Sequence, residues 1–114
     1  MTDLSLFEKI IAREIPANIV YEDNLCIAFH DITPQAPLHV LLCPKAPVKM
    51  LSEAVEEDTK LLGYLLFQAP CVARLLGYEK GFRVVINNGE QAGQTIFHLH
   101  LHILAGREFA WPPG

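Results

Sequence analysis

A chain of 114 residues with a formal net charge of −4 is long enough for one domain built around one core. Half of it is apolar (51%) and 19% is charged, which excludes a disordered polyelectrolyte. The acidic balance and the lack of a basic run argue against a general nucleic-acid binder or an acidic-membrane binder. A small phosphate-bearing ligand stays compatible, because a site can be locally electropositive within an acidic protein.

Ser5-Leu6-Phe7-Glu8 has the form of a capping box. Leu6, Phe7, Ile10 and Ile11 make an apolar stripe, so a short helix is expected to about Arg13, stopped by Ile15-Pro16. Asp3, Glu8, Lys9, Arg13 and Glu14 leave no apolar centre for a signal peptide, and no stretch reaches membrane-spanning length without a charge or breaker. A cytoplasmic protein that touches no membrane is the expectation. Ile19-Val20-Tyr21 and Cys26-Ile27-Ala28-Phe29-His30 flank Glu22-Asp23-Asn24, which reads as a hairpin. After Pro34 and Pro37, the nearly unbroken apolar run His39-Val40-Leu41-Leu42-Cys43 reads as a central strand.

Leu61, Leu62, Leu65, Leu66, Ala69, Ala73 and Leu76 repeat at helical steps, predicting a long helix over 52–76 with Gly77 finishing it. Glu53, Glu56, Glu57 and Asp58 crowd its start and Arg74 its end, as the helix dipole favours. Pro70 falls inside this pattern, so a kink or two abutting helices are expected around Phe67 to Pro70. Phe82 to Asn87 reads as a fourth strand and Phe97 to Leu104 as a fifth. The order is α+β, one domain over 1–114, with helices on an antiparallel sheet. Cys26, Cys43 and Cys71 show no zinc-type spacing, and the first two sit in apolar runs as buried free thiols.

The most informative stretch is His98-Leu99-His100-Leu101-His102-Ile103-Leu104. Alternation puts the aliphatic side chains on one face of a strand and the three imidazoles on the other, spaced roughly 6.6 Å apart. His39, on a different strand, could close the cluster. A lone strand histidine is usually a satisfied polar residue at the core edge; three in alternation point to chemistry. One class uses a histidine as nucleophile while its neighbours move protons. The other binds zinc through three histidines and a water. Metal-bound histidines commonly donate their second N–H to a carboxylate or carbonyl, and no acid lies between Gln91 and Arg107, so zinc ranks second. Upstream, Gly93-Gln94-Thr95 offers neutral donors suited to phosphate oxygens, which favours phosphoryl or nucleotidyl chemistry. Asp31 could accept from a ribose diol or simply begin the following turn.

His98 to Leu104 resembles the signature of the histidine triad (HIT) superfamily. Phe7 to Pro16, Phe29-His30-Asp31-Ile32-Thr33-Pro34-Gln35-Ala36-Pro37, Gly93-Gln94-Thr95 and Trp111-Pro112-Pro113-Gly114 resemble its Hint branch, the histidine triad nucleotide-binding proteins. The resemblance implies a five-stranded antiparallel sheet per subunit, joined in a homodimer into a ten-stranded one. It implies a purine nucleoside phosphoramidase that hydrolyses the P–N bond of adenosine 5′-phosphoramidate or AMP-lysine without a metal or other cofactor. By similarity His100 is the nucleophile, His102 binds phosphate oxygen and helps to protonate the amine, and His98 and His39 orient the network. Gly93, Gln94 and Thr95 would serve the phosphate, Asp31 the ribose, and Phe29, His30, Ile32 and Asn87 the base and sugar. Trp111 would reach the partner's site and shape the leaving-group side. A purine-nucleotide-binding protein without turnover, or a zinc-dependent hydrolase using the same histidines, is the alternative. Asn88, Glu90-Gln91-Ala92 and Thr95 differ from the commoner Hint residues.

Overall fold

The computed structural model describes residues 5–114; residues 1–4, among them Asp3 of the charged N-terminal stretch, lie outside it. The first helix, α1 (Leu6–Ile11), is opened by the expected capping box: Glu8 N–H donates to Ser5 Oγ at 3.1 Å and Ser5 N–H to Glu8 Oε1 at 3.0 Å. It ends earlier than Arg13 because Arg13 takes a left-handed φ of 64°. Its N–H donates to Ile10 O, and Glu14 N–H reaches back to Lys9 O. An ion pair from Arg13 to Glu22 holds that strained corner against the sheet.

Five antiparallel strands follow: β1 (Ile19–Glu22), β2 (Cys26–His30), β3 (Leu38–Pro44), β4 (Arg83–Val85) and β5 (Leu101–Ala105), in the order β1-β2-β3-β5-β4. The central place expected for the apolar run at 39–43 is the one β3 occupies, and every residue of β3 is buried. Period-two alternation splits the sheet into two faces. Cys26, Ala28, Val40, Leu42, Leu101 and Ile103 pack on one side against Leu65, Ala69, Val72 and Ala73 of the long helix α2 (Thr59–Leu75). Ile27, Phe29, Leu41 and Cys43 face the other way and meet Phe7 and Ile10 of α1. Burial pushes the Cys26 thiol up to about 12 and raises that of Cys43 too, so both stay protonated and inert near neutrality.

Other element boundaries differ from the sequence expectation, and the fourth strand is Arg83–Val85 rather than Phe82 to Asn87. The long helix begins at Thr59, not Ser52. Short 3-10 turns, Leu51–Glu53 and Glu56–Asp58, precede it, separated by Ala54 and Val55 in extended backbone, so the acidic residues stand ahead of the helix. The helix runs through Pro70 as one element, which removes the alternative of two abutting helices; Pro70 contributes no N–H to the ladder there. It closes as expected at Gly77 (φ 90°), with Gly77 N–H donating to Arg74 O and Tyr78 N–H to Ala73 O. Finally, β5 starts at Leu101 rather than Phe97. Its partners β3 and β4 pair only with 101–105 and 102–104, leaving 97–100 without a ladder. Among the described residues, no helix is long and apolar enough to cross a membrane.

Candidate active site

The face of the sheet opposite α2 carries a cavity of about 560 Å³ beneath α1. Its inner wall is apolar, made by Phe7, Ile10, Phe29, Leu41 and Ile96; its other side presents His30, Asp31, Thr33, Thr95, His100 and His102. An apolar slot with convergent polar groups at one end is the usual form of a small-molecule site.

Hydrogen bonds fix which nitrogen of each imidazole carries its proton. His100 Nδ1 lies 2.7 Å from the carbonyl oxygen of His98, which can only accept, so Nδ1 donates and the Nε2 lone pair is bare. Gln35 N–H donates to His39 Nδ1 at 3.0 Å, so the proton of neutral His39 sits on Nε2. That N–H faces His102 Nδ1 at 2.9 Å and donates to it, which leaves His102 with its proton on Nε2. One ring therefore offers a lone pair and its neighbour an N–H, with ring centroids 5.0 Å apart. Phe7 sets the tilt of His100, meeting it edge-on at 4.9 Å and 90°.

The electrostatics keep these rings neutral. Burial lowers His100 and His39, against weaker pulls upward from the His98 carbonyl and Asp31 respectively. Burial, then the proximity of His100 and His39, pulls His102 down to about 4. Neutral imidazole at pH 7 is what a nitrogen nucleophile requires. Asp31 Oδ2 lies 3.4 Å from His39 Nε2, while its Oδ1 accepts from the N–H and hydroxyl of Thr33, which orients the carboxylate.

The expected site residues divide. Phe29, His30, Asp31, Ile32, Thr95, His100 and His102 line the cavity, and His39 stands one hydrogen bond behind His102. His98 does not join the row. It is buried to 1% exposure under the sheet end, where its Nε2–H donates to Pro44 O at 2.6 Å, and it serves the site through its carbonyl. This is the consequence of β5 starting late: the chain at 98–100 is anchored by Leu99 N–H to Val48 O rather than by a strand partner. Gly93, Gln94, Asn87 and Trp111 lie off the cavity wall. The amide of Gln94 is fully engaged, accepting from Gly89 N–H and donating to Lys49 O and Ile96 O, so it braces the loop and has no donor free for phosphate. Trp111 is 83% exposed. The reading of the sequence missed the α1 wall and the Gln35 N–H. Phe7 carried a signal, as an apolar residue inside a capped helix; a backbone N–H carries none.

Asp31, His39 and His102 bring three potential metal-ligand atoms within 4.8 Å of one another. Their chemistry suits a proton relay better than an ion. To ligate through Nε2, His39 would have to move its proton to Nδ1, where Gln35 N–H already points. The set does not fit a resident metal.

Two neighbouring histidines of opposite proton polarity, opening on an apolar slot under an antiparallel sheet, define a histidine-centred site in a small α+β protein. A model of the HIT domain matches residues 12–109, and the chain belongs to that family. It is 62% identical, over the full length of both chains, to an uncharacterized HIT-like protein of Synechocystis sp.. A 14 kDa zinc-binding protein of Zea mays is 48% identical over 112 residues, covering 96% of this chain and 88% of that one. Among solved structures, a HIT family hydrolase of Legionella pneumophila superposes with a TM-score of 0.92 at 43% identity, covering 96% of this chain and 98% of that chain. A histidine triad nucleotide-binding protein of Candida albicans superposes with a TM-score of 0.81 at 29% identity, over 96% and 83%. The subunit fold expected from the resemblance, a five-stranded antiparallel sheet with a short N-terminal helix and one long helix, is thus the fold observed, and it is that of HIT family hydrolases.

Proposed function

We propose that the protein is a purine nucleoside phosphoramidase of the Hint type, cleaving P–N bonds in AMP conjugates through a nucleotidyl-histidine intermediate. The observation that carries this reading is the bare Nε2 of His100 beside the Nε2–H of His102 at the polar end of an apolar slot. The base lies between Phe29 and Ile32, Asp31 accepts from the ribose hydroxyls, and Thr95 and His102 hold the phosphate oxygens. His100 Nε2 attacks phosphorus and the P–N bond breaks. The amine takes a proton from the His39–His102 pair, which draws one from solvent as the anionic phosphate binds beside it. Water then attacks phosphorus, the N–P bond to His100 breaks, and the pair recovers its proton from that water.

The active form in this reading is a homodimer. Among the described residues β4 is an outer strand with no partner on its far edge, and Leu66 and Phe67 stand 56% and 67% exposed on α2. A second copy pairing along that edge makes one ten-stranded sheet and brings a partner's tail to each site.

The test is AMP release from adenosine 5′-phosphoramidate in EDTA, comparing wild type with His100→Ala. Release by wild type that vanishes in the variant supports metal-free histidine catalysis. AMP binding with no release points to a binding protein, and release that EDTA abolishes points to the zinc reading.

A further inference from the structure

Gly106 and Arg107, directly after β5, line no part of the cavity, yet both meet the loop that faces His39. Gly106 has a φ of 94°, and a Cβ there would lie 2.7 Å from Pro37 Cβ and 3.1 Å from Pro37 Cγ. The pyrrolidine ring is rigid, so nothing at that contact can bend away. Arg107 Nε–H donates to Gln35 O at 3.2 Å. The arginine is itself held: its guanidinium lies 4.3 Å over the Phe109 ring, which Arg83 also approaches at 5.0 Å. Arg83 donates in turn to Ala110 O at 2.9 Å. The Arg107 hydrogen bond thus holds the Gln35–Pro37 segment on the end of β5, the strand that carries His102, and the bare Cα of Gly106 lets Pro37 lie close there.

We propose that Gly106 and Arg107 are positioning residues: by clamping the Gln35–Pro37 loop they aim Gln35 N–H at His39 Nδ1 and so determine which face His102 shows the substrate. With Gln35 N–H in place, His39 keeps its proton on Nε2, His102 accepts on Nδ1, and an N–H faces the cavity. If the loop shifts, His39 can carry its proton on Nδ1 and accept from His102 Nδ1–H. His102 then turns a bare lone pair toward an anionic phosphate, which it can neither bind nor protonate. The polarity of the relay is thus set by a backbone amide and held by residues beyond the strand end. Its catalytic consequence rests on the phosphoramidase reading; the proton positions do not.

The experiment is ¹⁵N imidazole NMR at pH 7 with parallel turnover measurements on wild type, Gly106→Ala, Arg107→Ala and Arg107→Lys. Wild type is expected to show His39 and His102 each protonated on Nε2. In Gly106→Ala and Arg107→Ala the reversed pattern should appear and turnover should fall roughly ten- to hundredfold, as small misplacements near a reacting centre do; Arg107→Lys should recover part of both. Should Gly106→Ala fail to fold, Arg107→Ala decides alone. The reversed pattern in wild type, or unchanged tautomers in a folded Arg107→Ala, overturns the proposal, as does a tautomer shift without loss of turnover. Wild type that shows the expected tautomers but does not turn over the phosphoramidate defeats the phosphoramidase reading and leaves the clamp standing.

Discussion

His100 points its Nδ1–H at the carbonyl oxygen of His98, two residues earlier, at 2.7 Å. The first histidine of the motif thus orients the second with its backbone while its own ring is occupied by Pro44 O. The two therefore tolerate substitution differently. His98→Gln keeps the carbonyl and an amide donor, and turnover should stay within about tenfold of wild type. His102→Gln removes the proton donor and should cost about 10²–10⁴-fold in kcat. Steady-state kinetics on both variants distinguishes them; equal losses would contradict the division of roles.

The buried neutral histidines make stability depend on pH. His102 lies at about 4 in the folded state against an ordinary 6.5, and His39 and His100 are also lowered. As pH falls through 6.5 the unfolded chain takes up protons that the native state refuses. Stability is therefore full above that value and is lost progressively down to about 4. His102 alone contributes on the order of 3 kcal/mol to this loss. Urea unfolding at pH 7.5 and pH 4.5 measures it, and His102→Gln should flatten the dependence.

Asp23 ties the β1–β2 turn to α2. Burial pushes its carboxyl upward, but the hydroxyls of Tyr64 and Tyr21 and the N–H groups of Leu25 and Cys26 all donate to it and hold it well below the usual carboxylate range. Asp23→Asn should lower stability by about 2 kcal/mol, read from the urea midpoint. AMP affinity should not change, because Asp23 is not part of the cavity wall.

Trp111 is exposed and touches nothing in its own cavity. Deleting residues 111–114 should leave the unfolding midpoint nearly unmoved. If the tail serves the partner's site, the ratio of kcat/KM between amine leaving groups should change more than AMP affinity does. Equal effects on every substrate would remove Trp111 from the leaving-group side.

Patterning that repeats was legible in the sequence. The capped α1, the buried β3 and the Gly77 stop each follow from a local rule about spacing or dihedrals, and the structure honours them. The histidine alternation also put His100 and His102 on one face, and both line the cavity. It failed at His98 because period two gives the face of a residue, not the length of its strand partners. β4 is only Arg83–Val85, too short to pair beyond His102. Gln94 misled for a related reason: an amide beside glycines offers the same donors to a phosphate as to its own loop, and here the loop takes them all. What no sequence pattern carries is the Gln35 N–H, since every non-proline residue has one.

The central claim is that the lone pair on His100 Nε2 takes the nucleotide. Its most direct test is to mix the protein with excess adenosine 5′-phosphoramidate, quench in alkaline denaturant where an N-phosphoryl imidazole survives, and map the adduct by peptide mass spectrometry and ³¹P NMR. AMP should appear on His100, bonded through Nε2, and should be absent from the His100→Ala variant. AMP on another side chain, or turnover at wild-type rate by His100→Ala, would contradict it.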